Sequence, residues 1–529
     1  MTKKEKKIDP NRLSQQGLNF FNEGNFIDAK KNFDELNKYF PNNPDLLNLI
    51  GFSALQLELY EDALKAYSDS IGINPNQPGV FFNTAIIKNK IGDKEDALTF
   101  YDKALKLDPK NLDIYQNKSA IFEDLGYFDL ALDQINIVLQ SMPNNDHALA
   151  NRGNIYQNKF EYDLAKKDYL AALEINPSNT EILINLGNVL KHLGEYKESE
   201  LTFLDALDKV TENNSVHFNL SILLLFLKKF DRGWKEYEYR ETNIKKPEFL
   251  KNLKEADQIH TEDKVLIWSE QGIGDQIIFS SMLNNIPQPN SVTVSIDKRL
   301  IPIYERSFQF LKFVSFDNLS EKFVRNFDYH LPIGGLGKFY RSHAASFKEQ
   351  KYPFLKTNDL EVKKIKKKLG IKSGKVCGIS WKSKNEKIGF AKSFKLEDMI
   401  DLLSLQNINF IDLQYGNNDK EKNDLKVKSK INIEVLDGLD KFNDIDGLLN
   451  LIEVCDFVVT TSNVTAHLAG AIGKKTYLIV PHGVGSLWYW HDEPKSIWYP
   501  SIEIYRQNIP NEWKNIVKKI TKEIKANFL

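Results

Sequence analysis

The chain is poor in cysteine, with only Cys377 and Cys455 among 529 residues. Each lies inside an apolar run, KVCGIS and EVCDFVV, so both read as buried thiols, and neither a disulfide framework nor a thiolate metal site is expected. No stretch of about 18 consecutive apolar residues occurs, which removes a transmembrane helix and leaves only peripheral association with a membrane. An excess of one charge is also missing: 71 basic and 72 acidic residues give a net charge of −1. Proteins that hold nucleic acid over a broad surface carry a basic excess, so nucleic acid is not an expected partner. The basic opening MTKKEKKIDP has no apolar stretch behind it and reads as a solvated tail rather than a secretion signal, so a cytoplasmic protein is expected.

Proline is sparse, at 18 residues, but it is not scattered. Pro41, Pro75, Pro109, Pro143 and Pro177 fall every 34 residues, in step with Ala29, Ala63, Ala97, Ala131, Ala165, Ser199 and Gly233. A second small column reads Gly17, Gly51, Ala85, Ser119, Gly153, Gly187 and Ser221, and a bulky one Phe33, Tyr67, Tyr101, Ile135, Tyr169, Phe203 and Tyr237. Small residues let paired helices approach closely, proline ends the second helix, and the bulky residue is expected to fill the gap towards the next repeat. The pattern resembles the tetratricopeptide repeat (TPR) family and implies seven antiparallel helix pairs over residues 10–247, an α-solenoid with a concave face. Asn83, Asn117, Asn151, Asn185 and Asn219 share the same period, whereas Gln15 and Leu49 stand in that column in the first two repeats. An amide ladder can donate to and accept from an extended backbone, so these five asparagines form a candidate groove for a protein or peptide. Capping or bridging between repeats is the alternative role. O-GlcNAc transferase carries an asparagine ladder of this kind on its repeats, which these positions resemble.

Periodicity stops after FDRGWKEYEYRE, and residues 248–263 read as a linker. From there strands alternate with helices, which argues for parallel α/β units at 264–370 and 374–529. Expected strands are Val265–Trp268, Ser291–Ile296, Val376–Trp381, Asn409–Leu413, Phe457–Thr461 and Thr476–Val480. The KKIKKKLG run is expected to close the first unit, and a terminal helix near 511–526 to pack back across it.

Ligands of open parallel sheets sit at the carboxyl ends of the strands. In the first such loop, Gly272 and Gly274 free backbone N–H groups at a helix start. Ile277 stands where a dinucleotide fingerprint would have its third glycine; a nicotinamide cofactor with Asp297 on its ribose, or a turn with no ligand role, are the alternatives. Asp275 can take the proton of an attacking hydroxyl, with Glu270 as second candidate and helix capping as the bland role of Asp275. In SNVTAHLAGAIG, Ser462, Asn463, Thr465, Ala466, His467 and Leu468 surround a helix start suited to a diphosphate, and His467 could equally be a core histidine. Lys382 and Lys384, with Gln414 on a neighbouring loop, can face the same anion. Trp488, Tyr489, Trp490, Trp498 and Tyr499 could stack on a sugar or base, or close a core. The acidic pair Asp444 and Asp446 precedes a helix and reads as a cap, so transfer without a metal is expected.

GIGDQIIFSSML, WKSK and TAHLAGAIGKKTYLIVP resemble the ADP-heptose heptosyltransferase family and its TPR-fused bacterial relatives, whose tail GSLWYWHDEPKSIWYPSIEIYRQ is also similar. The resemblance spans about residues 264–507 and implies the GT-B fold of two Rossmann-like units and a nucleotide-diphosphate sugar as co-substrate, with no cofactor. It implies Asp275 as the catalytic aspartate, Lys384 or Lys382 as a donor-phosphate lysine, and Thr465 to Leu468 as the phosphate-binding helix start. Where that family has an aspartate shortly before this helix, this chain reads Thr461-Ser462-Asn463. The sequence therefore implies an inverting, metal-independent glycosyltransferase of hexosyl or heptosyl type whose repeats hold an acceptor or partner. The alternative is a TPR scaffold carrying a catalytically inactive transferase-like domain.

Overall fold

The structure is a computed structural model that describes residues 9–242, 246–260, 262–287, 291–385 and 388–529. The basic tail falls almost wholly outside these residues, as do small parts of the expected solenoid end and linker. The chain divides into two compact units, up to Ile182 and from Leu183 onward.

In the first unit the helix pairs are Pro10–Asn22 with Phe26–Asn37, Pro44–Gln56 with Tyr60–Ile73, Pro78–Lys90 with Lys94–Leu107, Leu112–Asp124 with Phe128–Ser141, and Asp146–Asn158 with Tyr162–Ile175. Helix starts are written in the sequence. Asn25, Asn43, Asp93 and Asn145 accept backbone N–H groups of the first turn, and Pro10, Pro44 and Pro78 occupy positions where no N–H partner is needed. The bulky column works differently from expectation. A methyl group added at Gly17, Gly51 or Gly153 would lie 2.6, 2.5 or 2.7 Å from the ring of Phe33, Tyr67 or Tyr169. The bulky residue thus packs onto the small residue of its own repeat, because a small residue leaves room for it between the paired helices. Reach towards the next repeat comes from the ring's far end, where the Tyr67 hydroxyl accepts from Asn83 Nδ2 at 3.2 Å.

A further 34-residue column emerges in three dimensions. Gly24, Glu58, Gly92, Gly126, Phe160, Gly194 and Lys228, at the turn inside each repeat, all have φ between 58° and 88°. Glycine suits this left-handed turn; Glu58, Phe160 and Lys228 adopt it against the preference of an L side chain.

The second unit contains the remaining repeat helices, ending with Asn214–Phe226 and Phe230–Tyr237, and two five-stranded parallel sheets. The first sheet runs β1 (Lys254–Glu255), β5 (Tyr329–Pro332), β2 (Val265–Trp268), β3 (Val292–Ile296), β4 (Lys312–Ser315) in spatial order. The second runs β10 (Ile502–Arg506), β9 (Thr476–Val480), β8 (Phe457–Thr461), β6 (Lys375–Ser380), β7 (Ile408–Asp412). All pairings within both sheets are parallel. The expected linker therefore contains a short edge strand, and β4, β5 and β10 were not read from the sequence, because each is short or interrupted by charge. Both cysteines are free and buried.

Two helices depart from expectation. The terminal helix, Trp513–Phe528, lies on the second sheet rather than across the first unit: Trp513, Ile516, Val517, Ile520 and Ile524 share a core with Cys377, Phe410 and Tyr477. The lysine-rich helix is Asp359–Leu369, and it packs on Ile445–Val454 of the second α/β part. Asn358 just before it donates its backbone N–H to Asn450 Oδ1 at 2.7 Å. Among the described residues no helix is long and apolar enough to cross a membrane.

Candidate functional site

Strand order reverses between β5 and β2 in the first sheet and between β8 and β6 in the second. Crevices for ligands open at such points, at the carboxyl ends of the strands. The loop after β2 carries Glu270 to Gly272 and leads into a helix start that carries Asp275, the loop after β6 carries Lys382 and Lys384, and Ser462 to Leu468 follow β8.

The two helix starts meet. Helix Ile273–Ser280 packs against helix Val464–Ala471, and a methyl group at Gly274 would sit 2.9 Å from His467 Cδ2 and 3.1 Å from its Nε2. Glycine is needed here for close approach rather than for an anion. Gly272 is exposed and caps the helix with an extended backbone. Asp275 lies in the first turn beyond this contact, and burial raises its pKa to about 6, with Lys392 pulling it down and Glu270 pushing it up.

Lys392 is the residue that sequence reasoning missed. It is 5% exposed, and burial lowers its pKa to about 8 against the pull of Asp275. The available signal was a lysine at the end of the short apolar run Gly389-Phe390-Ala391, which on its own looks like a surface residue. Its backbone carbonyl accepts from Thr461 Oγ1, which fixes the loop over the end of β8.

His467 is not a cation at this point. It is 2% exposed, stacks on Trp490 with ring centroids 5.1 Å apart and has Nδ1 3.0 Å from the Tyr499 hydroxyl. Burial, reinforced by Lys392, lowers its pKa to about 3, so the ring is neutral. Of its neighbours, Ala466 and Leu468 are fully buried core. Thr465 is fully buried too, and its hydroxyl has no hydrogen-bond partner.

Glu270 stands apart from an acid–base role. Its Oε1 is 3.0 Å from Arg240 Nη2, both side chains being almost wholly buried, and also accepts the Gly334 N–H at 3.2 Å. Burial pushes its pKa up against the pull of Arg240. This pair ties the end of the repeat region to the first crevice. Asn463 similarly fills the second crevice: its Nδ2 donates to Ser380 Oγ at 2.7 Å and to the Lys382 carbonyl at 3.0 Å, and its Oδ1 caps Thr465 N. Ser462 Oγ accepts from Trp490 Nε1 at 2.8 Å. Gln414, 1% exposed, accepts from Ser380 Oγ and from the backbone N–H groups of Trp381 and Lys382 at 2.8–3.0 Å. These three residues shape loops. Lys382 pairs with Glu421, whereas Lys384 is exposed with Nζ 4.9 Å from the Phe442 ring centre.

Beside this arrangement a cavity of about 800 Å³ opens at the ends of β2, β3 and β4, lined by Gln271, Asp297, Arg299, Asp317, Phe442 and Asn443 among others. Asp297 is clamped by Arg299 through two contacts of 2.9 and 2.8 Å and caps the turn that follows, so it does not offer a free carboxylate to a ribose. Asp444 caps its helix through Gly447 N at 2.8 Å, and Asp446 pairs with Arg306. The aromatic cluster is core: Trp488, Tyr489, Trp490, Trp498 and Tyr499 are each at most 6% exposed.

The five ladder asparagines are all half-buried. Asn117 Nδ2 and Asn219 Nδ2 donate to backbone carbonyls one turn earlier, at 2.8 Å in each case. Asn219 Oδ1 also accepts from Asn188, and Asn83 reaches Tyr67.

Comparison with known proteins follows this division. Tetratricopeptide-repeat profiles match residues 14–78, 80–111, 147–179 and 168–200. The N-terminal half is thus built of tetratricopeptide repeats, a class of interaction scaffold. Protein FlbA of Caulobacter vibrioides is 26% identical over 320 residues, covering 56% of this chain and 53% of that protein. The chain therefore spans about half the length of this curated relative. Among solved structures, a tetratricopeptide repeat protein from Parabacteroides merdae aligns at 14% identity and TM-score 0.39, covering 44% of this chain and 92% of that one. A MamA protein aligns at 20% identity and TM-score 0.30, covering 32% and 94%.

Proposed function

We propose that the α/β half is a GT-B glycosyltransferase working by single displacement on a nucleotide-diphosphate sugar, and that the repeats hold its protein or peptide acceptor. The observation that carries this reading is a desolvated carboxylate, Asp275, at the contact between the two helix starts, with the buried ammonium of Lys392 near enough to lower its pKa. Asp275 accepts the proton of the acceptor hydroxyl as its oxygen bonds to the anomeric carbon. The carbon–oxygen bond to the diphosphate breaks on the opposite face, the electron pair leaves with the diphosphate, and configuration inverts. Lys392, with Lys384 nearer the surface, supplies positive charge to that leaving group, in surroundings where water competes little. The 800 Å³ cavity beside Glu270 and Gln271 has room for the reacting sugars.

A second reading, a scaffold with an inactive transferase-like half, is favoured by one feature. Asn463 plugs the crevice between β8 and β6, and neutral His467 abuts Gly274, so neither is placed to grip a diphosphate.

Donor hydrolysis separates the two. Purified protein is expected to release nucleoside diphosphate slowly from one member of a nucleotide-sugar panel, and Asp275→Asn to abolish release while the chain stays folded. If no donor is hydrolysed or shifts the melting temperature, the scaffold reading stands. Replacing Asn117, Asn151 and Asn185 together by alanine is expected to raise the KM for acceptor several-fold and spare donor hydrolysis. Unchanged acceptor kinetics would remove the amide-ladder groove.

A further inference from the structure

A second concavity lies within the unit that starts at Leu183, away from Asp275. It is a cavity of about 400 Å³ between the sixth and seventh repeats and the carboxyl ends of β9 and β10. Its floor is polar and largely cationic. Arg506, at the end of β10, is held by Ser486 Oγ at 3.1 Å and the Trp490 carbonyl at 2.8 Å, and its Nε lies 3.5 Å from Asp492. Lys191 enters from the repeat side and donates to Asn188 Oδ1 at 3.3 Å. Among the described residues no carboxylate pairs with it, and burial alone lowers its pKa to about 8. The ammonium is therefore desolvated without a counter-charge, which is costly unless something anionic joins it.

A third donor points the same way. Gln507 is 4% exposed and lines the cavity. Its Oε1 is used by the His482 N–H at 3.2 Å, while its Nε2 has no acceptor. A buried amide donor left unpaired is destabilising, and a ligand oxygen would satisfy it. The other walls are flat and apolar: Tyr196 and Phe226 lie with ring centres 5.5 Å apart, and Trp488 closes one side. Trp488 is also the partition, since its ring packs against Trp234 at 5.6 Å and Tyr237 at 6.2 Å.

We propose that this cavity binds a ring-bearing organic phosphate, its phosphate held by Lys191, Arg506 and Gln507 and its ring lying against Tyr196, Phe226 and Trp488. The site belongs jointly to the repeats and the α/β half, so its ligand would bias how firmly the last repeats seat on the second sheet. The proposal is independent of glycosyl transfer, which stands or falls on Asp275.

Calorimetric titration of the full chain with inorganic phosphate, AMP and glucose 6-phosphate tests it. One of the two esters is expected to bind more tightly than inorganic phosphate; AMP in front identifies a nucleotide, and glucose 6-phosphate in front a sugar phosphate. Lys191→Met is expected to weaken that binding about tenfold, the scale of losing one charge-assisted hydrogen bond. Gln507→Leu, which removes the unpaired donor together with the acceptor of the His482 N–H, is expected to weaken it several-fold. Asp275→Asn and Lys392→Met are expected to leave it within twofold of the original. Absence of binding by either ester, or binding lost in Lys392→Met but retained in Lys191→Met, overturns the proposal.

Discussion

Replacing Asp275 by asparagine should stop donor hydrolysis and stabilise the protein at the same time. Burial lifts this carboxyl from 3.8 to about 6. At ~1.4 kcal/mol per pH unit, ionised Asp275 weighs on the fold by about 3 kcal/mol. The pull of Lys392 is already contained in that shift, so about 3 kcal/mol is also the expected net gain on removing the charge. The sign follows from linkage. An acid whose pKa is raised by folding favours the fold while protonated, and that contribution is lost as pH rises through about 6. Variant and original should therefore unfold at similar urea concentrations near about pH 4 and separate above about pH 7, with the variant the more stable. Tryptophan fluorescence reports the transition, Trp488 and Trp490 being buried beside the site. Donor release by the original should rise as pH passes about 6 and fail above about 8, as Lys392 loses its charge. A variant that is equally or less stable at alkaline pH would refute the claim that Asp275 is held desolvated, and the acid–base role with it.

Other outcomes follow from the packing. Glu270→Gln leaves the buried Arg240 without its counter-charge and should cost about 3–5 kcal/mol in urea titrations, most of it recovered by adding Arg240→Met. Gly153→Val drives a side chain into Tyr169 and should cost about 1–3 kcal/mol or more, seen as a lower melting temperature with loss of helical signal. Glu58→Gly relieves a left-handed residue at an exposed turn and should raise the stability of the first unit by about 0.5–1 kcal/mol; no gain would mean that the turn is not strained.

The helix pairs were legible from sequence because each repeat writes the same local rule. A small residue faces a ring, proline follows the second helix, and asparagine or aspartate opens several helices. Such signals act within one repeat and need no knowledge of distant contacts. The strands at 265–268, 457–461 and 476–480 were equally plain, since a strand covered on both faces is continuously apolar. Tyr329–Pro332 and Ile502–Arg506 were not, because a short strand with polar residues looks like loop until its neighbours are known.

What sequence by itself determined is the repeat architecture, the parallel α/β character of the second half and the two loops that meet. Tertiary structure alone decided the charges in that meeting place. Burial turned His467 from a residue expected beside the diphosphate into a neutral core ring, committed Glu270 to Arg240, and brought an unremarkable Lys392 near enough to Asp275 to lower its pKa. Residue type sets what a group can do, but desolvation and the nearest opposite charge set its protonation state, and both depend on residues brought together from far along the chain.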